Sequence, residues 1–328
     1  VVTGVAVTGI EGDGKVEKVL TSKKPYKADL VVLSAGIRPN TAFLEDSGLE
    51  MIKGTIVTNE FGETNLPDVY AAGDCAMVRN ALTGKPAWSP MGSTANIAGR
   101  VIAQNMMGAG LQYRGVLGTA VCKLPELNVG RTGLTEEQAK IEGFDPISVI
   151  TVVDDKAHYY PDASTFIIKM IADKATERLL GVQVIGAGAI DKVVDIAVTG
   201  MMCKATLADL ADMDLAYAPP FSTAIHPFEH TLNVLKNKIR GTFDTFTPAE
   251  YAAGEAEGYK VIDACLQPSI EGAPYVELTT VEGPIDGLGL DEKILLVCNK
   301  GKRAYLLQNR MKYRQYRLQT INRYLLMR

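Results

Sequence analysis

The sequence feature that most constrains this fold is a short apolar run that ends in a glycine and an aspartate. The segment reads TNLPDVYAAGD over residues 64–74, and we expect residues 69–72 to form a buried strand. In α/β folds, ligands bind just beyond the carboxyl ends of such strands. Gly73 would let the backbone approach a ligand closely, and Asp74 would accept hydrogen bonds from its hydroxyl groups. The alternative is an aspartate that only caps a core strand.

A helix predicted at residues 92–107 supports a ligand site. Its apolar residues recur at helical spacing, and it would begin at Gly92, directly after Met91. The positive end of its dipole would then favour negative charge on a group bound beside Gly73 and Asp74.

The composition indicates a globular protein rather than a membrane or nucleic-acid-binding one. Hydrophobic residues make up 47% of the 328, and the net charge of −4 argues against a nucleic-acid partner. No apolar stretch reaches the roughly 18 residues of a membrane span. The five cysteines form no C-x-x-C pair, which favours reduced thiols in the cytoplasm over disulfides or zinc. Because Val1 lies inside an alternating apolar run, we interpret the chain as a fragment.

Periodicity and turn residues predict a chain of mixed α/β and α+β character. The opening residues alternate β-rich runs with turns and lead to a buried strand at 29–34. A capping box of Thr135 and Gln138 opens a helix, and residues 241–248 look like a linker. Further strands are expected near residues 147–153, 165–172, 179–186, 260–263 and 293–297, and helices near 189–203, 206–212 and 222–237 and from 248 and 302 onward.

Three motifs match functional patterns that their context contradicts. Residues 9–15 fit P-loop spacing, but Val16 replaces the magnesium-binding hydroxyl and the segment lies between two strands. Residues 186–188 suggest a dinucleotide fingerprint but fit a tight strand–helix turn better. Residues 226–230 match H-x-x-E-H, yet Pro227 fits a first helical turn, so we expect no metal site.

Two segments resemble the pyridine nucleotide–disulfide oxidoreductases. Residues 34–40, SAGIRPN, look like the end of that family's NAD(P)H domain, and residues 64–74 look like its second FAD motif. The resemblance implies FAD and NAD(P)H as cofactors, with FAD contacted by Gly73, Asp74, Met91 and Gly92. It divides the chain into the end of the NAD(P)H domain (1–45), the end of the FAD domain (46–115) and a dimerisation domain (116–240). The family's glycine fingerprints and redox cysteine would lie upstream, so this chain alone should not turn over.

Within the family, the chain is most similar to coenzyme A-disulfide reductases, NADH oxidases and persulfide reductases. The segment containing Tyr217, Pro219 and Phe221 is similar to the one that reaches the partner's flavin, which implies a homodimer. Tyr159 matches the tyrosine that acts with Tyr217, and a phenol can donate a hydrogen bond to a departing thiolate or persulfide. Interface packing is the alternative for Tyr217, and Tyr160 competes with Tyr159.

Two positions depart from that branch. Ile225 stands where the family often has a lysine, and Asn96 stands where it often has a histidine, both near coenzyme A. The coenzyme A substrate is therefore left open beside persulfides and other thiols.

Cys298 follows a predicted apolar strand and precedes a predicted helix. Backbone N–H groups, the helix N-terminus and the cations of the loop would all favour its thiolate. The loop resembles the rhodanese active-site loop C-x-x-G-x-R, which implies a rhodanese-like domain at 241–328 with Cys298 as a persulfide carrier. The loop residues are Asn299, Lys300, Gly301, Lys302 and Arg303.

This last domain also departs from its pattern. Asp263 is not followed by the usual arginine, Cys265 stands at a strand end without a basic loop, and the close after Tyr313 is altered or truncated. The expected function is NAD(P)H-dependent reduction of a disulfide, persulfide or polysulfide through FAD, coupled to sulfur transfer. The alternatives are an NADH oxidase or peroxidase and a non-catalytic sulfur-carrier or interaction module.

Overall fold

The computed structural model describes residues 1–282, 285–312 and 316–323. Its strands are β1 (Val7–Glu11), β2 (Lys18–Thr21), β3 (Tyr26–Lys27), β4 (Met51–Ile52), β5 (Thr55–Ile56), β6 (Met77–Arg79), β7 (Pro86–Trp88), β8 (Ala120–Lys123), β9 (Asn128–Gly133), β10 (Pro146–Asp154), β11 (Thr165–Asp173), β12 (Leu179–Gly186), β13 (Lys260–Asp263), β14 (Lys293–Cys298) and β15 (Arg317–Asn322). Its helices are α1 (Gly92–Asn105), α2 (Glu136–Ile141), α3 (Ile190–Met202), α4 (Leu207–Ala211), α5 (Pro227–Ile239), α6 (Pro248–Ala252) and α7 (Lys302–Lys312).

The first part of the chain consists of small antiparallel sheets followed by a helix. Strands β1, β2 and β3 form one sheet, and the pairs β4–β5 and β6–β7 form two hairpins. The P-loop-like residues 9–15 comprise the end of β1 and the turn toward β2, so they precede a strand and not a helix, as their sequence context predicted.

Two strands predicted in this part are wrong. Residues 29–34 form no strand; Leu30 is 79% exposed and Leu33 82%, and no described strand pairs with them. Residues 69–72 also form no strand, since Tyr70 makes only an isolated bridge to Glu63. An apolar run becomes a strand only when a neighbour accepts its backbone hydrogen bonds, which the pattern of residues alone does not reveal.

The central unit, comprising β8–β12 and α2–α5, contains the largest core. Its five-stranded antiparallel sheet has the order β10-β11-β12-β9-β8. Helices α3 and α5 pack on one face, and a smaller cluster that includes Ala139 of α2 and Ile171 of β11 packs separately. The first cluster contains fully buried Phe228, Leu232 and Leu235 of α5.

Side-chain caps determine where the helices of this unit begin. The predicted capping box is present, since the Thr135 hydroxyl accepts from the Gln138 N–H and the Gln138 amide oxygen accepts from the Thr135 N–H. Helix α5 begins at Pro227 rather than near 222, because His226 Nδ1 accepts the Phe228 N–H at 3.2 Å and caps the helix there.

The glycine-rich turn after β12 is a packing feature. A side chain on Gly186 would lie 2.4 Å from the Phe166 ring, and one on Gly188 would lie 2.6 Å from an Asp155 carboxylate oxygen. These glycines are needed for a tight strand–helix connection, as predicted.

The third unit is a parallel sheet of order β13-β14-β15 with α7 packed on it. Strand β15 was not predicted. The expected linker is partly docked, because the Phe246 N–H donates to the Thr320 carbonyl and the Thr320 N–H donates to the Asp244 carbonyl, both at 3.0 Å. The altered close expected after Tyr313 begins at residues 313–315, which lie outside the described residues.

Buried His226 should make stability depend on pH. Burial, with a smaller contribution from the Lys192 charge, lowers the pKa of His226 from 6.5 to about 4. The unfolded chain therefore binds an extra proton between these values, so this stability is complete above the unfolded pKa and is lost as the pH falls toward the folded one. The shift corresponds to on the order of 3 kcal/mol.

We expect His226→Asn, which keeps a helix-capping acceptor, to lose less unfolding free energy than wild type between about pH 7 and about pH 4.5. Urea unfolding at both pH values measures the difference, and His158→Asn controls for replacement of an exposed histidine. An equal loss in wild type and His226→Asn would contradict the assignment.

Candidate functional site

Gly73 and Asp74, here called the Gly73–Asp74 edge, leave space in which a ligand could contact the chain. Gly73 has φ +90°, and a Cβ built on it would meet no atom within 4 Å. Asp74 is exposed, and its backbone carbonyl accepts the Trp88 Nε1–H at 2.8 Å. Within the described part of the chain its carboxylate has no hydrogen-bond or ion-pair partner. This edge therefore offers open space and free acceptors.

The beginning of α1 offers hydrogen-bond donors, whereas the Gly73–Asp74 edge offers acceptors. Met91 precedes the helix in an extended conformation, no side chain caps the first turn, and the first turn holds no acidic residue. The first N–H groups of a helix need acceptors from outside it, and the helix dipole favours a negatively charged one. Helix α1 thus begins at Gly92, directly after Met91, as predicted, while contact of these residues with a flavin stays a prediction.

The predicted tyrosines and their neighbours lie on the surface of the central unit. Tyr159 is 70% exposed, Tyr217 51% and Phe221 72%, while Pro219 is half-buried. The Tyr159 ring contacts His158 edge-on at 5.5 Å between centroids, and no ring contact or hydrogen bond within the described ranges joins Tyr159 to Tyr217. The structure therefore shows both phenols on the surface of the central unit without a direct contact between them.

Cys298 lies at the carboxyl end of β14, where the loop 299–301 turns into α7. It is 2% exposed, and its sulfur accepts the Ala304 N–H at 3.3 Å. Gly301 has φ +83°, a conformation that favours glycine and lets the backbone curl around the sulfur. The N-terminus of α7 thus faces the thiol, as the sequence predicted.

The cations of this loop do not act as expected. The Lys300 ammonium pairs with Asp154 at 2.6 Å, and the Arg303 guanidinium donates to both Glu277 oxygens at 2.9 and 3.0 Å. Both charges are therefore neutralised by carboxylates that the sequence did not single out. Stabilisation of a Cys298 thiolate falls mainly to backbone N–H groups and the helix dipole.

Glu277, the acidic partner of Arg303, is kept ionised by the hydrogen bonds that it accepts. Hydrogen bonds from Tyr275, from the Thr279 backbone and from Arg303 lower its pKa to about 2. It stays ionised well into the acid range, so it can hold Arg303 throughout. Arg303 in turn donates from Nε to the Ala264 carbonyl at 3.1 Å.

Lys302 faces the central unit. Burial lowers the pKa of His230 on α5, and the Lys302 charge lowers it further while Asp154 opposes the shift. A cavity of about 590 Å³ lies at this junction. It is bordered by residues of β10 and α5, by Thr223–Ile225 of the central unit, and by Lys300, Gly301 and Lys302 of the loop.

Cys265 does not stand apart from the loop. It is 1% exposed, and its thiol donates to Asn299 Oδ1 at 3.6 Å. Its backbone N–H donates to buried Asp263 at 2.9 Å. Burial would raise the pKa of Asp263, but hydrogen bonds from Ser269, Cys265 and Ile270 hold it below its usual range. The sequence could not show this proximity, because it depends on the pairing of β13 with β14.

The described residues contain no cluster of three or more potential metal ligands and no helix long and apolar enough to cross a membrane. The H-x-x-E-H pattern at residues 226–230 lies at the start of α5, where the His226 side chain caps the helix.

Comparison with known families defines the class of protein. A model of pyridine nucleotide-disulphide oxidoreductases matches residues 1–98, and a model of their dimerisation domain matches residues 119–227. The chain belongs to this family of FAD-dependent, NAD(P)H-linked oxidoreductases.

Individual relatives show which enzymes of this family the chain resembles in sequence. The NAD(P)H coenzyme A polysulfide/persulfide reductase of Pyrococcus horikoshii is 41% identical over 228 residues, 69% of this chain and 51% of that protein. An NADH oxidase of Methanocaldococcus jannaschii is 33% identical over 233 residues, 70% of this chain and 52% of that protein. The chain thus spans about half the length of the curated relatives it matches.

Two solved structures match a larger part of the chain than the family models do. An NAD-dependent persulfide reductase from A. fulgidus superposes with a TM-score of 0.88 at 31% identity, covering 97% of this chain and 59% of that one. The reduced Bacillus anthracis CoADR-RHD has the same TM-score at 28% identity, covering 97% and 58%. Both likenesses include the third unit, which the two family models do not reach.

The Gly73–Asp74 edge generates a test of cofactor binding. In the full-length, flavin-loaded protein, Asp74→Ala removes a charged acceptor worth about 1.5–3 kcal/mol, so FAD affinity should fall roughly 10- to 100-fold. Equilibrium dialysis followed by absorbance spectroscopy measures the retained flavin. Asp46→Ala, at another exposed carboxylate of the first part, is the matched control. Equal flavin retention in both variants would exclude Asp74 from the site.

Proposed function

We propose that this chain is the C-terminal part of an FAD-dependent NAD(P)H oxidoreductase that reduces a persulfide, polysulfide or disulfide, and that its third unit is a rhodanese-like domain that carries sulfane sulfur on Cys298. The observation that carries the proposal is the placement of Cys298 at the N-terminus of α7 with the Ala304 N–H on its sulfur. A thiolate or persulfide is stabilised at such a position.

The comparisons favour this function over its runner-up. The most similar sequences include one named as a coenzyme A polysulfide/persulfide reductase and one named as a CoA-dependent NAD(P)H sulfur oxidoreductase. Structures that match 97% of the chain include a persulfide reductase, whereas the water-forming NADH oxidase of Lactobacillus brevis covers 73% of it at 24% identity and shares the fold alone. An NADH oxidase gives no role to a sulfur-binding loop.

The residues of this chain would contribute to two sites, one that binds the flavin and one that carries sulfur. When bound, FAD would accept a hydride equivalent from NAD(P)H and pass electrons to a redox cysteine upstream. Asp74 and the start of α1 would bind and orient the flavin. Tyr217 and Tyr159 would donate hydrogen bonds to a departing thiolate or persulfide. Cys298 would hold sulfane sulfur in the cavity-facing loop.

Exposed Tyr217 and Phe221, beside half-buried Pro219, suggest that a second copy completes the flavin site. Their exposure fits a C2 homodimer in which each protomer supplies these side chains to its partner. Ile225 borders the 590 Å³ cavity, and Asn96 lies on α1, where its side chain bonds the Gly92 carbonyl. Both positions leave the identity of the thiol substrate open, so persulfides stand beside coenzyme A-type substrates.

The sulfur-carrier role is tested on the full chain. After treatment with thiosulfate, Cys298 should carry an adduct of about 32 Da, and cyanide should remove it as thiocyanate. Cys298→Ser should abolish both, because serine cannot form a persulfide. Cys203→Ser, at an exposed cysteine, should retain both. A folded wild-type chain that takes no sulfane sulfur from thiosulfate, whether recovered as adduct, thiocyanate or sulfide, would favour a docking module that transfers no sulfur.

The partner role of Tyr217 is tested by mixing subunits of the full-length enzyme. Tyr217→Phe removes a hydrogen-bond donor and should lower kcat about 100-fold, and a variant of the upstream redox cysteine should be inactive. If Tyr217 serves the partner's site, a heterodimer of the two variants has one complete site and regains about half the wild-type activity. Absence of recovery in a verified heterodimer would show that Tyr217 acts within its own subunit or not at all. Tyr160→Phe is the control for loss of a nearby phenol.

A further inference from the structure

We propose that Cys265 is a resolving thiol: it attacks the persulfide of Cys298, closes a Cys265–Cys298 disulfide and releases the sulfane sulfur as sulfide. This step rests on the proposed function, because it needs a persulfide on Cys298.

The pairing of two parallel strands brings the cysteines together. Strands β13 and β14 are in register at Asp263 and Val297, and the ladder continues because the Ala264 N–H donates to the Val297 carbonyl at 2.8 Å. Cys298 is the last residue of β14, and Cys265 follows β13 by two residues. With strands about 4.8 Å apart and a rise of about 3.3 Å per residue, their α-carbons lie on the order of 6 Å apart, within the span of a disulfide.

Both thiols belong to the same side of the sheet. Cys265 and Cys298 are members of one buried cluster with Ile262, Leu296 and Ala304, whereas Val297 belongs to the cluster on the opposite face. Strict alternation would point neighbouring residues apart. The chain instead bends after β13, where Asp263 accepts the N–H groups of Cys265, Ser269 and Ile270.

Two contacts hold Cys265 against the Cys298 loop. Its thiol donates to the side-chain oxygen of Asn299, the residue that directly follows Cys298, at 3.6 Å. Arg303, at the start of α7, donates to the carbonyl of Ala264 at 3.1 Å. The resolving thiol and the loop that carries the persulfide are thus fixed to each other from both sides.

The environments of the two thiols suit different tasks. Burial raises the pKa of the Cys265 thiol, and its hydrogen bond with Asp263 raises it further. A thiol with a raised pKa competes less well for external sulfur donors, so its attack on the persulfide depends on its position beside Cys298. Near-complete burial of both sulfurs, at 1% and 2% exposure, keeps bulky thiols from the inner sulfur of the persulfide. A neighbouring thiol can reach that atom without diffusion.

The reaction balances without an added oxidant. The Cys265 sulfur forms a bond to Cys298 Sγ, and the bond between Sγ and the outer sulfur breaks. The outer sulfur takes the electron pair of that bond and, with the protons of the thiol and of the persulfide, leaves as hydrogen sulfide. The two cysteines are oxidised to a disulfide, and the sulfane sulfur is reduced. Two equivalents of a low-molecular-weight thiol would restore the cysteines by exchange.

The test follows the fate of sulfur in the full chain. The wild type, loaded with limiting thiosulfate and then freed of it, should yield up to one equivalent of sulfide. Non-reducing peptide mapping should find a Cys265–Cys298 linkage about 2 Da lighter than the two thiol peptides. Cys265→Ala should instead retain the adduct of about 32 Da on Cys298 and release at least tenfold less sulfide. Cys203→Ala should behave as wild type.

The outcomes separate the two proposals. The resolving role alone is overturned if the loaded wild-type chain keeps its persulfide and forms no linkage. In that case it also releases sulfide no faster than Cys265→Ala. Failure of Cys298 to load in wild type and in folded Cys265→Ala overturns the carrier role and this step with it. Thermal unfolding of Cys265→Ala verifies its fold, and Cys265→Ser, which keeps the side-chain size, replaces it if the cavity is too costly.

Discussion

The packing of α5 against β10 is the interaction on which the position of the Cys298 loop beside the central unit depends. Phe228, Leu232 and Leu235 of α5 are fully buried, and truncating such a residue to alanine costs about 2–5 kcal/mol. The far end of the same helix contacts the third unit, where Asn237 donates to the Tyr305 hydroxyl at 3.1 Å. One helix thus packs on the central sheet and contacts the third unit beside it.

Apolar contact, rather than charge, is the main force at this junction. The Lys300–Asp154 pair joins side chains that are 48% and 34% exposed, and exposed pairs contribute about 0–1 kcal/mol. Phe243 and Tyr305 meet edge-to-face at 5.3 Å, which adds about 0.5–1.5 kcal/mol beyond area burial. The ion pair therefore serves to orient the loop toward the cavity, while the aromatic contact and the docked segment 244–246 hold the unit in place.

The sequence predicted local features well and long-range ones poorly. Helix α2 was found from the Thr135–Gln138 capping box, and the strand–loop–helix around Cys298 from its apolar run and Gly301, because these signals lie within a few residues. The strands expected at 29–34 and 69–72 failed, since a strand requires a partner from elsewhere in the chain. The partners of Lys300 and Arg303 escaped notice for the same reason, lying 146 and 26 residues away in sequence.

The acidic partners of Lys300 and Arg303 would change how a thiolate or persulfide on Cys298 is stabilised. A thiolate flanked by free cations would be stabilised by charges that salt screens and solvent weakens. Here Asp154 and Glu277 take those charges, and the sulfur of Cys298 faces the Ala304 N–H in a buried position. A dipole fixed in a low-dielectric interior needs no rearrangement as charge moves on and off the sulfur.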